Sequence, residues 1–129
     1  MTAAIDTNIL VRFLTGDDLR QADIATDHIR QGFILLPTVA METEWVLRAS
    51  YDWPREQIAA AFRNIIDMPE AIDVPVNILW VLERFAAGAD FADMMHIAAA
   101  GQADKFVTFD QRIDRSVGNS SPVAVMTLT

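Results

Sequence analysis

The sequence predicts an α/β fold built on a mainly parallel sheet, and three observations carry that expectation. Short apolar runs alternate with longer segments whose apolar residues recur at the helical period. Glycine or proline stands at the junctions, at Gly16, Gly32, Pro37, Pro54 and Gly88. The chain has 129 residues, of which 52% are hydrophobic, and this suits residues 1–129 to one domain around one core.

The elements follow in order. Residues 2–6 read as a short buried strand that stops at Asp6. Ile9, Leu10, Val11, Phe13 and Leu14 give residues 8–14 a helical pattern that Gly16 breaks. Residues 17–32 read as an amphipathic helix, with a capping Asp at the start and Gly32 at the stop. "FILLP" (33–37) is a short apolar run ended by Pro37, a buried strand. Thr38 is placed to cap a helix over 39–50, with Val39, Glu42, Trp45 and Val46 near one face. Pro54 starts the next helix, where Ile58, Ala61, Phe62 and Ile65 give the period. "AIDVP" (71–75) fits an edge strand limited by Pro75. Helices follow over 76–87, stopped by Gly88, and over 90–103, capped by Asp90. "KFVTFD" (105–110) is a strand ending on a carboxylate, "QRIDRSV" a short helix or turn, and "PVAVMTL" (122–128) a last strand.

Composition narrows the function classes. No apolar run approaches the roughly 18 residues that cross a membrane. No basic segment followed by an apolar one marks the N-terminus for secretion. Cysteine is absent, which removes disulfides and thiolate–metal sites and makes the cytoplasm the expected compartment. Net charge is −8, so the overall field does not attract polyanions. A nucleic-acid role therefore needs metal ions or a local patch of arginine, which makes up nine of the ten basic residues.

Asp6 and Asp110 end strands at the sheet edge where α/β proteins bind ligands. Glu42 lies in the first turns of a helix that follows a strand, and Asp93 one turn into the helix capped by Asp90. All four are expected to project from the same edge of the sheet. Carboxylates crowded in one cleft repel each other and lose hydration, a cost that bound cations relieve. An oxygen-only set suits Mg²⁺ or Mn²⁺, and a pair of such ions serves phosphodiester cleavage. Thr7 and Asn8 are positioned to orient Asp6. Thr108, two residues before Asp110 on one strand, faces the same side and could hold a water or phosphate.

Each residue also has a plainer role. Asp6, Asp90 and Asp110 fit helix caps, and Asp93 complements a helix dipole. Glu44 reads as a solvated helix residue and His96 as a hydrogen-bonded structural histidine. Trp45, Trp53 and Trp80 read as core or interface residues. Only the constellation lifts Glu42 above an ordinary surface acid.

Taken together, "AIDTNIL", "METEWVL", "ADMMHIAAA" and "FVTFD" resemble the four acidic motifs of PIN-domain proteins, in order, over residues 3 to about 114. The similarity is nearest to VapC-type toxins of bacterial toxin–antitoxin pairs. The resemblance implies a three-layer α/β/α sandwich around a parallel sheet of four to five strands. It implies Mg²⁺- or Mn²⁺-dependent endoribonuclease activity, with Asp6, Glu42, Asp93 and Asp110 as the catalytic, metal-holding acids and Asn8 as the companion of Asp6. Asp90 is a further candidate ligand, and "TFDQRID" offers Asp114 beside Asp110. The resemblance also implies an antitoxin partner that inserts a segment into the acidic cleft. The 52% hydrophobic content suits burial in a homodimer or by such a partner. Arg12, Arg48, Arg112 and Arg115, near the motif-bearing elements, are candidates to hold RNA, with structural or dimer contacts the alternative for Arg12 and Arg48. A non-catalytic RNA-binding module is the rival reading. A phosphatase forming an aspartyl-phosphate commonly uses D-x-D, and Asn8 in "DTN" speaks against it. RNA and DNA are not separated by these residues, because nothing in them reads the 2′-hydroxyl.

Overall fold

The computed structural model describes residues 2–129, which form seven helices and five strands. The chain divides at Pro75 into two units, the second running from Val76 to Thr129. Every strand pairing is parallel, three strands in one sheet and two in the other, which makes the protein the mixed α/β type its periodicity predicts.

The first unit holds β1 (Ala3–Ala4), α1 (Thr7–Thr15), α2 (Leu19–Arg30), β2 (Phe33–Ile34), α3 (Pro37–Ala49), α4 (Arg55–Ile66) and β3 (Ala71–Asp73). The sheet order is β1-β2-β3, so β3 is an edge strand, as Pro75 requires. β1 is shorter than its apolar run because Asp6 turns the chain into α1, although the Ile5 N–H still reaches the Ile34 carbonyl at 3.4 Å. Gly16 ends α1 in the left-handed region, φ 64°, and its N–H bonds the Arg12 carbonyl. Asp18 caps α2 by accepting from the Gln21 N–H at 3.0 Å. Leu10, Ile29, Phe33, Leu35, Leu47 and Phe62 are fully buried and form the core of this unit.

The helix expected over 39–50 departs from its prediction in two ways. It starts at Pro37 rather than after a Thr38 cap, because a proline at the first helical position has φ already set and lacks an N–H that would go unpaired. Its buried face is Val39, Ala40, Thr43, Glu44 and Leu47, so Trp45 is 57% exposed and does not belong to the core. Glu44, expected in solvent, is only 4% exposed. Arg48 one turn on supplies its counter-charge, Nε to Oε2 at 2.7 Å.

The second unit holds α5 (Ile78–Ala86), α6 (Phe91–Ala99), β4 (Lys105–Thr108), α7 (Gln111–Ser116) and β5 (Ala124–Thr127). β4 and β5 pair in register from Lys105↔Ala124 to Thr108↔Thr127. α5 packs on α6 and α7 on β5. The buried rings of Phe85 and Phe91 meet edge to face at 5.4 Å, 89° apart. α6 stops at Ala99, short of the expected 103, where the Ala100 N–H turns back to the Ile97 carbonyl. None of the described helices is long and apolar enough to cross a membrane.

Thr43 has a fully buried hydroxyl with no hydrogen-bond partner among the described residues. A buried polar group left unpaired costs about 1–3 kcal/mol. Thr43→Val keeps the branched shape and removes the orphan, so it should raise the melting temperature by roughly 3–5 °C. A lower melting temperature in calorimetry would show that the hydroxyl is satisfied and needed.

Candidate functional site

Asp6 leaves β1 and caps α1. Its Oδ1 accepts the Thr7 N–H at 2.7 Å, and the carboxylate lies at the surface. One oxygen is thus fixed by the backbone, and Oδ2 remains for another partner. Thr7 itself is buried and points its hydroxyl the other way, donating Oγ1–H to Oε1 of Glu42 on α3. The two acids of the first unit are therefore linked through one residue. Thr7 orients both, Asp6 by its backbone and Glu42 by its side chain. Asn8 does not share that task. It lines a groove of about 350 Å³ with Ile9, Arg12 and α2 residues, and no hydrogen bond joins it to Asp6 among the described residues.

The arginines of this unit have protein partners. Arg12 donates from Nε to Gln21 Oε1 at 2.8 Å and from Nη1 to the Tyr51 hydroxyl at 3.1 Å, and pairs with Asp17 at 3.3 Å. The Tyr51 hydroxyl donates to Asp17 at 2.6 Å, and with the Thr15 hydroxyl and Arg12 it holds the Asp17 carboxyl below the ordinary range. This network ties α1 and the α1–α2 turn to the loop after α3. Arg48 serves Glu44 as described. Both arginines thus do structural work.

In the second unit Asp90 caps α6, accepting the Asp93 N–H at 2.9 Å. Asp110 caps α7, accepting the Arg112 N–H at 2.9 Å. The Arg112 side chain adds a fork to the same carboxylate, Nε to Oδ1 at 3.1 Å and Nη2 to Oδ2 at 3.0 Å. The Thr108 Oγ1 accepts the Asp110 N–H at 2.9 Å and sets the angle of the turn, which leaves its O–H to donate. Asp93, half-buried on the first turn of α6, lacks such a counter-charge of its own.

The titration of these acids follows the contacts. Arg112, by its side-chain fork and then its backbone N–H, holds the Asp110 carboxyl below the ordinary range. Asp93 moves the other way. Burial raises its pKa first, and the neighbouring carboxylates of Asp90 and Asp110 raise it further, against smaller opposition from His96 and Arg112. His96 is exposed one turn along α6 and acts on Asp93 through its charge. Asp114 is exposed on α7. Asp90, Asp93 and Asp110 thus form one electrostatic group.

The donor set is made of oxygen atoms, and hard divalent cations take such ligands. At Asp93 such a charge would offset both the burial of the carboxylate and the repulsion from Asp90 and Asp110. In both respects the residues suit Mg²⁺ or Mn²⁺. Among the described residues, no three His, Asp or Glu side chains are grouped so that they could hold a metal ion together. Water and substrate oxygens commonly complete the shell of such ions.

Arg84 was not among the residues singled out from the sequence. It donates Nε to the Ser116 carbonyl at 2.7 Å and stands beside Arg112 and Arg115. An arginine in a helix whose partner lies 32 positions on leaves no local signal.

A family model described as the PIN domain matches residues 3–118. No curated protein matches, and no solved structure does.

The raised pKa of Asp93 carries a stability consequence. A folded carboxyl that holds its proton more tightly than the unfolded one costs nothing below the ordinary carboxylate range. It destabilises the fold increasingly as pH rises through the folded value. In chelator, Asp93→Asn should therefore melt above wild type at neutral pH, and the difference should vanish below about pH 4. A mutant that melts well below wild type at neutral pH would make Asp93 a structural partner rather than a repelled charge.

Proposed function

The chain belongs to the PIN domain family, whose members are generally nucleases, and from that premise we propose a metal-dependent endoribonuclease, the toxin of a type II toxin–antitoxin pair. Residues 1–129 are read as a single domain of this kind. The observation that carries the reading is Asp93: a half-buried carboxylate pressed by Asp90 and Asp110, whose pKa is driven upward. Crowded carboxylates of this kind mark a candidate site for a cation, which relieves their repulsion.

Asp6, Glu42, Asp93 and Asp110 are the residues assigned to hold Mg²⁺ or Mn²⁺, with Asp90 as a further ligand. When bound, the ion supplies activation of water and neutralisation of charge on the phosphodiester. The remaining work belongs to the chain. The Thr7 N–H fixes one oxygen of Asp6 and leaves the other to point outward. The Thr7 hydroxyl keeps Glu42 from swinging with solvent. Thr108 and the Arg112 N–H hold Asp110 at the head of α7, so its place is set by the backbone before a ligand arrives.

Exposed apolar side chains support the partner part of the reading. Leu19 is 79% exposed and Phe109 75%, and with Trp45 they are large surfaces to leave in water. A homodimer and an antitoxin are the proposed covers. An antitoxin side chain such as arginine near the carboxylates would serve as a cation in place of the metal.

Cleavage of a panel of structured RNAs with Mg²⁺, Mn²⁺ and chelator tests the activity. Products should form with either ion and be absent in chelator. Asp6→Asn should lower the rate by about 100-fold or more while the fold survives, because Asn is as good a helix cap as Asp. Undiminished cleavage by that variant would remove Asp6 from the site. Tight RNA binding by wild type with no cleavage under any ion would favour the non-catalytic module.

A further inference from the structure

Arg84 of α5, Arg112 and Arg115 of α7, and the Ala87–Gly88–Ala89 turn line a single open cavity of about 300 Å³ in the second unit. Three of the nine arginines in a chain of net charge −8 thus share one small pocket. Each presents a different kind of readiness. Arg84 is locked in place: its Nε is spent on the Ser116 carbonyl at 2.7 Å, which leaves both Nη groups. Gly118 permits this, since a Cβ there would lie 2.8 Å from Arg84 Cζ and Nη1, and its φ of +67° suits glycine. Arg112 spends Nε and Nη2 on Asp110 and keeps Nη1. The Arg115 guanidinium has no acceptor among the described residues.

We propose that Arg84, Arg112 and Arg115 form a phosphate-binding subsite that grips the backbone of a nucleic-acid strand beside the Asp90–Asp93–Asp110 carboxylates. The proposal rests on the nuclease reading above and adds where the strand is held. Guanidinium donors in a fork match phosphate oxygens, and the walls between them are small enough to admit a phosphate with part of its sugars. Arg112 joins the subsite to the acids, because the residue that lines the pocket is also the partner of Asp110. A strand held there has its next phosphates close to the carboxylate group of the same unit. The grip reads phosphate and not base or 2′-hydroxyl, so it fixes register without choosing sequence.

Binding of a fluorescein-labelled 12-nucleotide single strand, followed by anisotropy in chelator over a range of salt, tests this. Arg84→Gln and Arg115→Gln should each weaken binding about threefold to tenfold. Each should reduce the slope of log affinity against log salt by about 0.7, alike for the RNA and DNA forms of the strand. Arg30→Gln, on an exposed helix end of the other unit, is the control and should leave both unchanged. Arg115→Gln guards against misfolding of the Arg84 variant, whose backbone bond is lost. If both variants bind as wild type does while wild type still cleaves RNA, the subsite is wrong and the nuclease reading stands. If wild type neither binds nor cleaves either strand, both fall. If polyglutamate binds in an arginine-dependent way and the nucleic acids do not, the pocket takes an acidic peptide and the proposal is overturned.

Discussion

At Asp6, Asp90 and Asp110 one carboxylate oxygen is held by a backbone N–H at the start of a helix, and the starts of α1, α6 and α7 depend on that arrangement. Each of these residues sits where a strand or loop turns into a helix, so the cap decides both where the helix begins and where the acid points. A cap uses one oxygen and satisfies an N–H that the helix cannot pair internally. The second oxygen is then left for another partner, which at Asp110 is already the Arg112 side chain. Capping and ligand binding are thus the same geometry seen from its two sides. The price is concentration of negative charge, and at Asp93, which has no cap to make, burial first and then that charge raise the pKa.

The two units meet this cost differently. Asp6 and Glu42 share Thr7, a neutral donor that steers each acid without cancelling its charge. Asp110 has Arg112, a full counter-charge in a two-point fork. A cation arriving at Asp110 competes with a guanidinium already there, and the arginine it displaces remains tethered by the Asp110–Arg112 cap. Under the proposed metal reading, binding of a cation and freeing of an arginine would therefore be linked at this carboxylate. Glu44 is a contrast within the same fold. It is buried, and Arg48 one turn away answers it at 2.7 Å, so its burial is structural and carries no free valence.

Much of this was legible in the sequence because caps are local. An aspartate just before an apolar-periodic stretch marks Asp18, Asp90 and Asp110 without any knowledge of the fold, and Gly16, Gly32 and Gly88 mark the stops. The edge strand at 71–73 was legible from Pro75. What escaped depends on facing. Glu42 and Glu44 are two positions apart on one helix and point roughly 200° apart, and each has Thr43 on one side and an apolar residue on the other. Only packing against α1 and α4 decides that Ala40, Thr43 and Leu47 go inward and Trp45 outward. The Tyr51–Asp17–Arg12 network and the Arg84–Ser116 bond join positions more than thirty residues apart, and periodicity has no access to them.

An acidic protein that acts on a polyanion has to solve a problem of range. At physiological salt, fields of exposed charges fade over about 8 Å, so the net charge of −8 opposes approach only near the surface, and only short-range contacts hold what arrives. Arginine suits that regime better than lysine, because its planar fork gains directional hydrogen bonds as well as charge. The chain holds one lysine and nine arginines, and three of those arginines line one pocket in the unit that also crowds its acids. Donors and carboxylates placed so close neutralise each other at a distance and differ sharply at contact. On the proposed reading the surface discriminates by fit: a strand gains only when its phosphates meet the guanidinium groups and a cation covers the acids. A misplaced strand meets bare carboxylates instead and is repelled, so the acidity that weakens binding overall also sharpens where it can occur.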